Sequence, residues 1–126
     1  MTRIRFDSLT VGELVHRFAN MAIEQDGAEK ESAVGNITKV NRLFKQMEAV
    51  EVELRRRPGD QRRALLALFD HPNMQVRLKA AKAALAVAPK EARKMLESIA
   101  VSHWYPQAGD AGVCLDMLDL GAFVPE

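Results

Sequence analysis

Residues 65–81 have the sequence LLALFDHPNMQVRLKAA, in which two apolar helical segments are separated by a polar turn. Asp60 is a suitable N-cap for the first of these helices, and Asn73 is a suitable N-cap for the second. His71-Pro72 ends the first helix, because proline removes a backbone donor and restricts the residue before it. This pattern predicts that the centre of the chain is α-helical.

The second of these helices contains six alanines between residues 80 and 88. Alanine has a small side chain, so neighbouring helices can approach it closely on nearly every side. Its larger apolar residues recur at helical spacing at Met74, Leu78 and Leu85. We therefore expect an inner helix that is surrounded by neighbours.

Two further helices are predicted on the N-terminal side. Thr10 to Glu13 has the form of a capping box, which begins a first helix of about four turns, and 26–36 is interpreted as a loop or a frayed helix end. A second helix ends at Pro58-Gly59, and Glu51 interrupts its apolar stripe, so Val50 is expected to take over the packing there. That stripe consists of Ile37, Val40, Phe44, Met47 and Leu54, with Leu43 and Val50 flanking it.

Two more helices are predicted on the C-terminal side. Pro89 suits the first turn of a fifth helix, Asp110 is expected to cap a sixth, and Gly121 is expected to end it. Sustained alternation with a period of two is absent, so no sheet is predicted. The chain is therefore predicted to be all-α, with about six helices in antiparallel hairpins. The inward residues of the sixth helix are predicted to be Ala111, Cys114, Leu115 and Leu118.

A weak internal repeat relates the central hairpin to the C-terminal one at an offset of 31 residues. Leu65 then aligns with Leu96, and Ala80 aligns with Ala111. This period is typical of a two-helix solenoid unit, because one hairpin cannot cover its own apolar face and stacked hairpins can.

The central hairpin also resembles the HEAT-repeat family, which has a leucine-rich helix, an Asp-containing turn, a Val-Arg pair and an alanine-rich helix. The resemblance implies an α-α superhelix in which the turn Asp and the Arg form a structural ladder, so Asp70 and Arg77 are expected to have structural roles. The chain is predicted to be a single domain over 1–126. Within it we expect an N-terminal helix pair (9–57), a HEAT-like unit (60–88) and a degenerate second unit (89–121).

The whole chain resembles a small bacterial family of unknown function. The residues that carry this resemblance are the runs RPGDQRRALL (57–66), VRLKAAK (76–82), AVAP (86–89) and PQAGDAG (106–112). The resemblance implies a HEAT-like fold and a bacterial source, and it implies no activity.

The bulk composition is that of an ordinary globular domain, with 48% hydrophobic and 28% charged residues. Cys114 is the single cysteine, so no disulfide can form within the chain. Neither a signal peptide nor a membrane-spanning stretch is predicted. We therefore expect a cytoplasmic protein that does not contact membranes.

The formal net charge of +1 conceals a basic centre and an acidic end. Segment 55–94 holds 11 basic and 3 acidic residues, whereas 95–126 holds five acids and neither Lys nor Arg. Arg62, Arg63 and Lys90 fall in the first turns of predicted helices, where a cation is unfavourable. We therefore expect them to have an anionic neighbour, which is Asp60, the acidic tail or a ligand. A second copy could also place its acidic tail against the basic centre, forming a homodimer. The candidate anion-binding residues are Arg56, Arg62, Arg63, Lys79, Lys82 and Lys90.

His103, Trp104 and Tyr105 form an aromatic loop that is a candidate protein-contact site, since clustered aromatic residues often dominate interfaces. The alternative is that Trp104 plugs the end of the helical stack and that Tyr105 shapes the turn. The sequence leaves both open.

Catalytic, metal-binding and nucleotide-binding motifs are not recognisable. The three histidines are far apart in sequence, and Cys114 falls on an apolar helical face. We therefore expect no enzyme activity and no cofactor or metal. The favoured hypothesis is a protein-protein interaction module with an unknown protein partner. The alternative is binding to the backbone of nucleic acid or another polyanion through the basic residues.

Overall fold

The structure is a computed structural model that describes residues 5–30 and 36–126. No β-strand occurs in this part of the chain, and the prediction of an all-α protein is confirmed. Residues 5–30 and 36–126 form two 3-10 helices and five α-helices. The 3-10 helices are Phe6–Ser8 and Gln61–Asp70, and the α-helices are α1 (Val11–Lys30), α2 (Ile37–Arg56), α3 (Met74–Ala84), α4 (Pro89–Ala100) and α5 (Gln107–Leu120).

The chain divides into two compact units, Met1–Ala64 and Leu65–Glu126. In the first unit, α1 packs against α2, and the short 3-10 helix Phe6–Ser8 also packs against α2. In the second unit, α4 packs against both α3 and α5, and α3 also contacts α5. The boundary falls inside the 3-10 helix Gln61–Asp70, and the assignment of 1–126 to a single domain stays a prediction.

The predicted capping box begins α1. The backbone N–H of Thr10 donates to Glu13 Oε1 (3.0 Å), and the N–H of Glu13 donates to Thr10 Oγ1 (3.1 Å). The helix continues to Lys30, so the interpretation of residues 26–30 as a loop or frayed end is wrong, while 31–35 lie outside the described residues. Ala28 is buried and Asp26 pairs with Lys30 at 3.1 Å, and both interactions support the last turn.

The buried face of α2 differs from the predicted stripe. Ile37 and Phe44 are both more than half exposed, so their assignment to the core is wrong. The structure buries the adjacent arc, which also follows a 3-4 spacing, and Val50 takes the packing role that was predicted for it. The buried apolar residues of α2 are Leu43, Met47, Val50 and Leu54.

The core of the second unit surrounds α3, as its alanines predicted. Leu78 and Leu85 are buried in α3 and in the residue that follows it, and they pack with Leu96 and Ile99 of α4. The Asn73 side chain accepts a hydrogen bond from the backbone N–H of Val76 (3.2 Å), which confirms the predicted N-cap. The alanines buried in α3 are Ala80, Ala81, Ala83 and Ala84.

α5 begins four residues earlier than predicted, at Gln107, so Asp110 lies in its first turn and is not its N-cap. The buried Gln107 side chain donates to Gln75 Oε1 of α3 (2.9 Å), and this contact ties the start of α5 to its neighbour. Gly121 ends the helix with φ 72°, as predicted. Within the described residues, every helix is too short or too polar to cross a membrane.

Candidate functional site

The arginines at the end of α2 are engaged with Glu53. Arg57 Nε donates to Glu53 Oε2 (2.9 Å), and Arg56 binds the same carboxylate at 2.6 Å. Arg57 also donates to the backbone carbonyl oxygen of Phe6 (3.1 Å). Hydrogen bonds from Arg57 and then Arg56 hold the pKa of Glu53 below its ordinary value. Arg56 is therefore an ion-paired residue at the surface of the first unit.

Arg62 has its anionic neighbour two residues away. Its Nε and one terminal nitrogen donate to the two carboxylate oxygens of Asp60 at 2.9 and 2.7 Å, and its side chain is almost fully buried. The hydrogen bonds from Arg62 lower the pKa of Asp60, and the same interaction raises the pKa of Arg62. Asp60 has φ 50° and also accepts from the backbone N–H of Arg62 (3.3 Å). Arg63, the next residue, is exposed.

Basic side chains of α3 and α4 form ion pairs with acidic side chains of α5 inside the second unit. Lys82 of α3 binds Asp110 at 3.1 Å, and Arg93 of α4 binds Asp119 at 2.9 Å. The pairing with Asp119 raises the pKa of Arg93. Two acids of the C-terminal segment thus find their cations within the same unit.

The six candidate anion-binding residues are therefore not equivalent. Arg56, Arg62 and Arg63 belong to the first unit, and the three lysines belong to the second. Lys79 is half-buried and Lys90 is exposed at the start of α4. Anion binding by this set stays a prediction, and Arg56, Arg62 and Lys82 already have carboxylate partners.

Arg77 holds the turn before α3 through a backbone contact. Its Nε donates to the carbonyl oxygen of His71, while His71 Nδ1 accepts the backbone N–H of Asn73 (3.0 Å). Asp70 is exposed, and the ion pairs of the described chain do not include one between Asp70 and Arg77. The Asp–Arg ladder implied by the HEAT resemblance is therefore not formed, since the guanidinium of Arg77 is directed to the turn itself.

The aromatic loop lies between α4 and α5. Trp104 and Tyr105 are both more than half exposed, so Trp104 does not plug the helical stack. The ring centroids of His103 and Tyr105 are 6.5 Å apart, and the Tyr105–Pro106 peptide bond is cis. Ser102 Oγ accepts the backbone N–H of Trp104 (3.1 Å) and donates to the carbonyl oxygen of Ile99 (2.6 Å). The loop presents its aromatic side chains to solvent.

The outer face of α5 continues this apolar surface, and the sequence analysis missed it. Val113, Met117 and Leu120 follow one another at helical spacing and are 42% to 79% exposed. One turn before Val113 lies Gly109, beside the ring of Tyr105. We call Tyr105, Gly109, Val113, Met117 and Leu120 the α5 strip. Apolar residues on both faces of the α5 sequence are the signal that could have revealed it, because such a helix is usually covered on all sides.

Acidic residues accompany the α5 strip. By helical geometry Asp110 lies on one edge of the strip, whereas Asp116 and Asp119 lie on the other edge. Asp110 binds Lys82, and Asp119 binds Arg93. Asp116 is exposed and makes no ion pair with another described residue. The strip is thus an apolar ridge with one unpaired carboxylate.

A cavity of about 420 Å³ opens in the second unit where the ends of α3 and α5 meet the start of α4. Arg93 is its one charged lining residue, and that guanidinium already binds Asp119. Burial raises the pKa of Cys114, so its thiol stays protonated near neutral pH. In the described residues, no three His, Cys, Asp or Glu side chains are grouped to hold a metal ion.

Comparison with known proteins gives two matches. A family model described as a domain of unknown function (DUF2019) matches residues 12–119. The crystal structure of the protein RPA1889 from the bacterium Rhodopseudomonas palustris CGA009 is similar, with 53% sequence identity and a TM-score of 0.90. The match covers 98% of this chain and 100% of that one. The curated proteins contain no significant match.

Proposed function

The chain belongs to the family of domains of unknown function described as DUF2019, and from this premise we propose that it is a non-catalytic protein-protein interaction module. The family description supplies no activity or partner that could be transferred. The support for the proposal is therefore the surface of the chain itself.

The α5 strip is the observation that carries the proposal. Contiguous exposed apolar side chains are uncommon on small monomeric domains and usually mark a contact with another molecule. Covering them is favourable by roughly 25 cal/mol per Å² of apolar surface. Exposed Trp104, next to Tyr105 in the chain, extends the strip at one end, and such aromatic residues often dominate binding energy.

The same proposal includes the type of helical arrangement and the cellular location of the chain. We infer a HEAT-like arrangement in the second unit, supported by the packing of α4 against both α3 and α5. A bacterial cytoplasmic protein is in keeping with the bacterial source of the similar structure.

Site-specific photo-crosslinking in the native host tests this function. The photoreactive amino acid p-benzoylphenylalanine is placed at Val113 in the α5 strip and, as a matched control, at Val52 of α2. Val52 has the same residue type and a similar exposed fraction, 60% against 57%. We expect discrete crosslinked protein bands from position 113 that are absent from position 52. Identical patterns from the two positions would count against the proposal.

Polyanion binding is the alternative proposal. Exposed Arg63 and Lys90 support it, but Arg56, Arg62 and Lys82 would have to leave or share their carboxylates. Binding to phosphates is mostly driven by counterion release and is strongest at low salt. A gel-shift assay with duplex DNA and single-stranded RNA at low salt decides it, and the absence of any shift would end this alternative.

A further inference from the structure

We propose that the α5 strip is covered by the α5 strip of a second copy of this chain, packed antiparallel about a two-fold axis that passes close to Val113. This inference rests on the proposed function, and it names the partner of the same surface. Most soluble homo-oligomers are two-fold dimers, and a two-fold interface requires a surface that is complementary to itself. The α5 strip meets that requirement in both shape and charge.

The shape argument follows from the positions on either side of Val113. Gly109 lies four residues before it and Met117 lies four residues after it, so antiparallel packing places each Met117 opposite the partner's Gly109. Gly109 has no side chain, and the Tyr105 ring lies 3.9 Å from where a Cβ would be, as one wall of the gap. A flexible thioether suits such a gap and makes favourable contacts with an aromatic ring.

The ends of the strip are also matched. Tyr105 lies just before α5 with its ring beside Gly109, and Leu120 is the last residue of α5, so the same packing brings each Leu120 toward the partner's Tyr105. Small residues thus meet large ones on either side of the centre, and large apolar residues approach each other at both ends. Residues 107–120 of α5 extend over roughly 21 Å, which is about four helical turns.

The charges are compatible with a second copy. Lys82 and Arg93 neutralise the acids at the two edges of the strip, at 3.1 and 2.9 Å. The remaining Asp116 and the partner's Asp116 would be about six residues apart along the helices, or roughly 9 Å. That separation is close to the Debye length at physiological salt, so their repulsion is small. A net charge of +1 adds little long-range repulsion between copies.

The contact is expected to be weak. One pair of helices buries less than the roughly 800 Å² per partner of a standard interface. We therefore expect a dissociation constant of about 10–100 µM. Sedimentation equilibrium from about 1 µM to 1 mM covers this range. It should show a mass that rises from 14.0 kDa toward twice that value.

The variant Val113→Lys tests the two-fold axis directly, because it places two ammonium groups beside each other. Val113 is 57% exposed, so the fold should tolerate lysine there. We expect at least a tenfold weaker association. The matched variant Val52→Lys, at a 60% exposed position of α2, should associate like the wild type. A wild-type protein that is monomeric up to 1 mM, or a Val113→Lys variant that associates normally, would overturn the inference.

The variant Gly109→Ala separates association from folding. A Cβ there meets Tyr105 at an ordinary van der Waals distance, and alanine favours a helix, so the melting temperature should stay equal or rise. The added methyl group occupies the space that Met117 of the second copy needs, so association should weaken several-fold. Unchanged association would overturn the antiparallel register.

The self-association measurements and the photo-crosslinking together distinguish a second copy of the chain from other partners. If the purified chain is monomeric but the photoreactive group at Val113 captures a different protein, the second-copy inference fails and the proposed function stands. If neither self-association nor strip-specific crosslinking occurs, both fail. If association survives Val113→Lys but is lost in Val52→Lys, the interface lies on α2 and the inference is overturned.

Discussion

Glu53 is a charged residue on the buried face of α2. Its carboxylate is mostly buried in α2, where it accepts hydrogen bonds from Arg56 and Arg57 at 2.6–3.1 Å. Arg57 in turn donates to the carbonyl oxygen of Phe6, so the carboxylate helps to hold the N-terminal 3-10 helix on α2. One acid thereby organises two cations and a distant backbone segment.

Replacing this acid should destabilise the chain. Glu53→Gln keeps the size of the side chain but removes the charge that both guanidinium groups bind. We expect the free energy of unfolding to fall by about 1–2 kcal/mol. Urea denaturation followed by circular dichroism measures it, with Glu48→Gln at an exposed position of the same helix as the control. Equal losses of unfolding free energy in the two variants would show that the contacts of Glu53 add no stability beyond that of an exposed glutamate.

The same contacts predict an acid-sensitive stability. Their arginine partners lower the pKa of Glu53 below its ordinary value of 4.5 and that of Asp60 below 3.8. The stabilisation is therefore fully present above these ordinary values, and it is lost as the pH falls through the lowered folded-state pKa values. We expect urea midpoints to decrease below pH 4.5, and to decrease less in Glu53→Gln than in the wild type. An identical pH dependence for the two proteins would contradict this assignment.

At the scale of the element, the start of α3 depends on one side chain. Asn73 satisfies the backbone N–H of Val76, and the turn before it is closed by contacts among His71, Asn73 and Arg77. Asn73→Ala removes the acceptor, and the expected loss is about 1 kcal/mol of unfolding free energy. Thermal denaturation measures the loss, and Asn73→Ser, which keeps an acceptor, should recover most of it. A serine variant as unstable as the alanine variant would argue against the capping role.

The two faces of α5 lie in different environments. Ala111 and Cys114 pack in the core of the second unit, while Val113 and Met117 face solvent. A helix with apolar residues on both faces needs a second cover to bury the outer one. That need is the physical origin of the proposed interaction surface.

At the scale of the whole molecule, charge is arranged in local pairs and the net charge is close to zero. Within the second unit, the acids of α5 bind cations of α3 and α4. Such exposed pairs are screened by solvent and contribute little to stability, so they balance charge more than they stabilise the fold. The basic centre and acidic end of the sequence are thus partly neutralised in the chain itself.

The salt dependence of association distinguishes the two proposed functions. Self-association through the α5 strip is apolar, so its dissociation constant should change less than about twofold between about 50 and 200 mM salt. Polyanion binding through six cations would weaken by about 1,000-fold over the same range. Sedimentation equilibrium and gel shifts at the two salt concentrations measure these changes. Self-association that disappears at the higher salt would indicate an electrostatic interface, not an apolar one.

Local features of the sequence were sufficient to predict most of the helices. Thr10 with Glu13, Asn73, Pro89 and Gly121 act through hydrogen bonds or backbone restrictions that span only a few residues, and each lies where the sequence placed it. The family resemblance was also carried by residues that are visible in the sequence.

Only the tertiary structure decided which surfaces are covered. Spacing alone admits either of two adjacent arcs of α2, and packing chose the arc with Leu43 over the arc with Phe44. The start of α5 was set by the contact between Gln75 and Gln107, which are 32 positions apart. Exposure of the α5 strip was likewise invisible, because burial depends on neighbours that periodicity does not specify. For Arg62 the sequence left three candidate anionic neighbours open, and the structure selects Asp60. The helices are therefore properties of the sequence, whereas the candidate site is a property of how they pack.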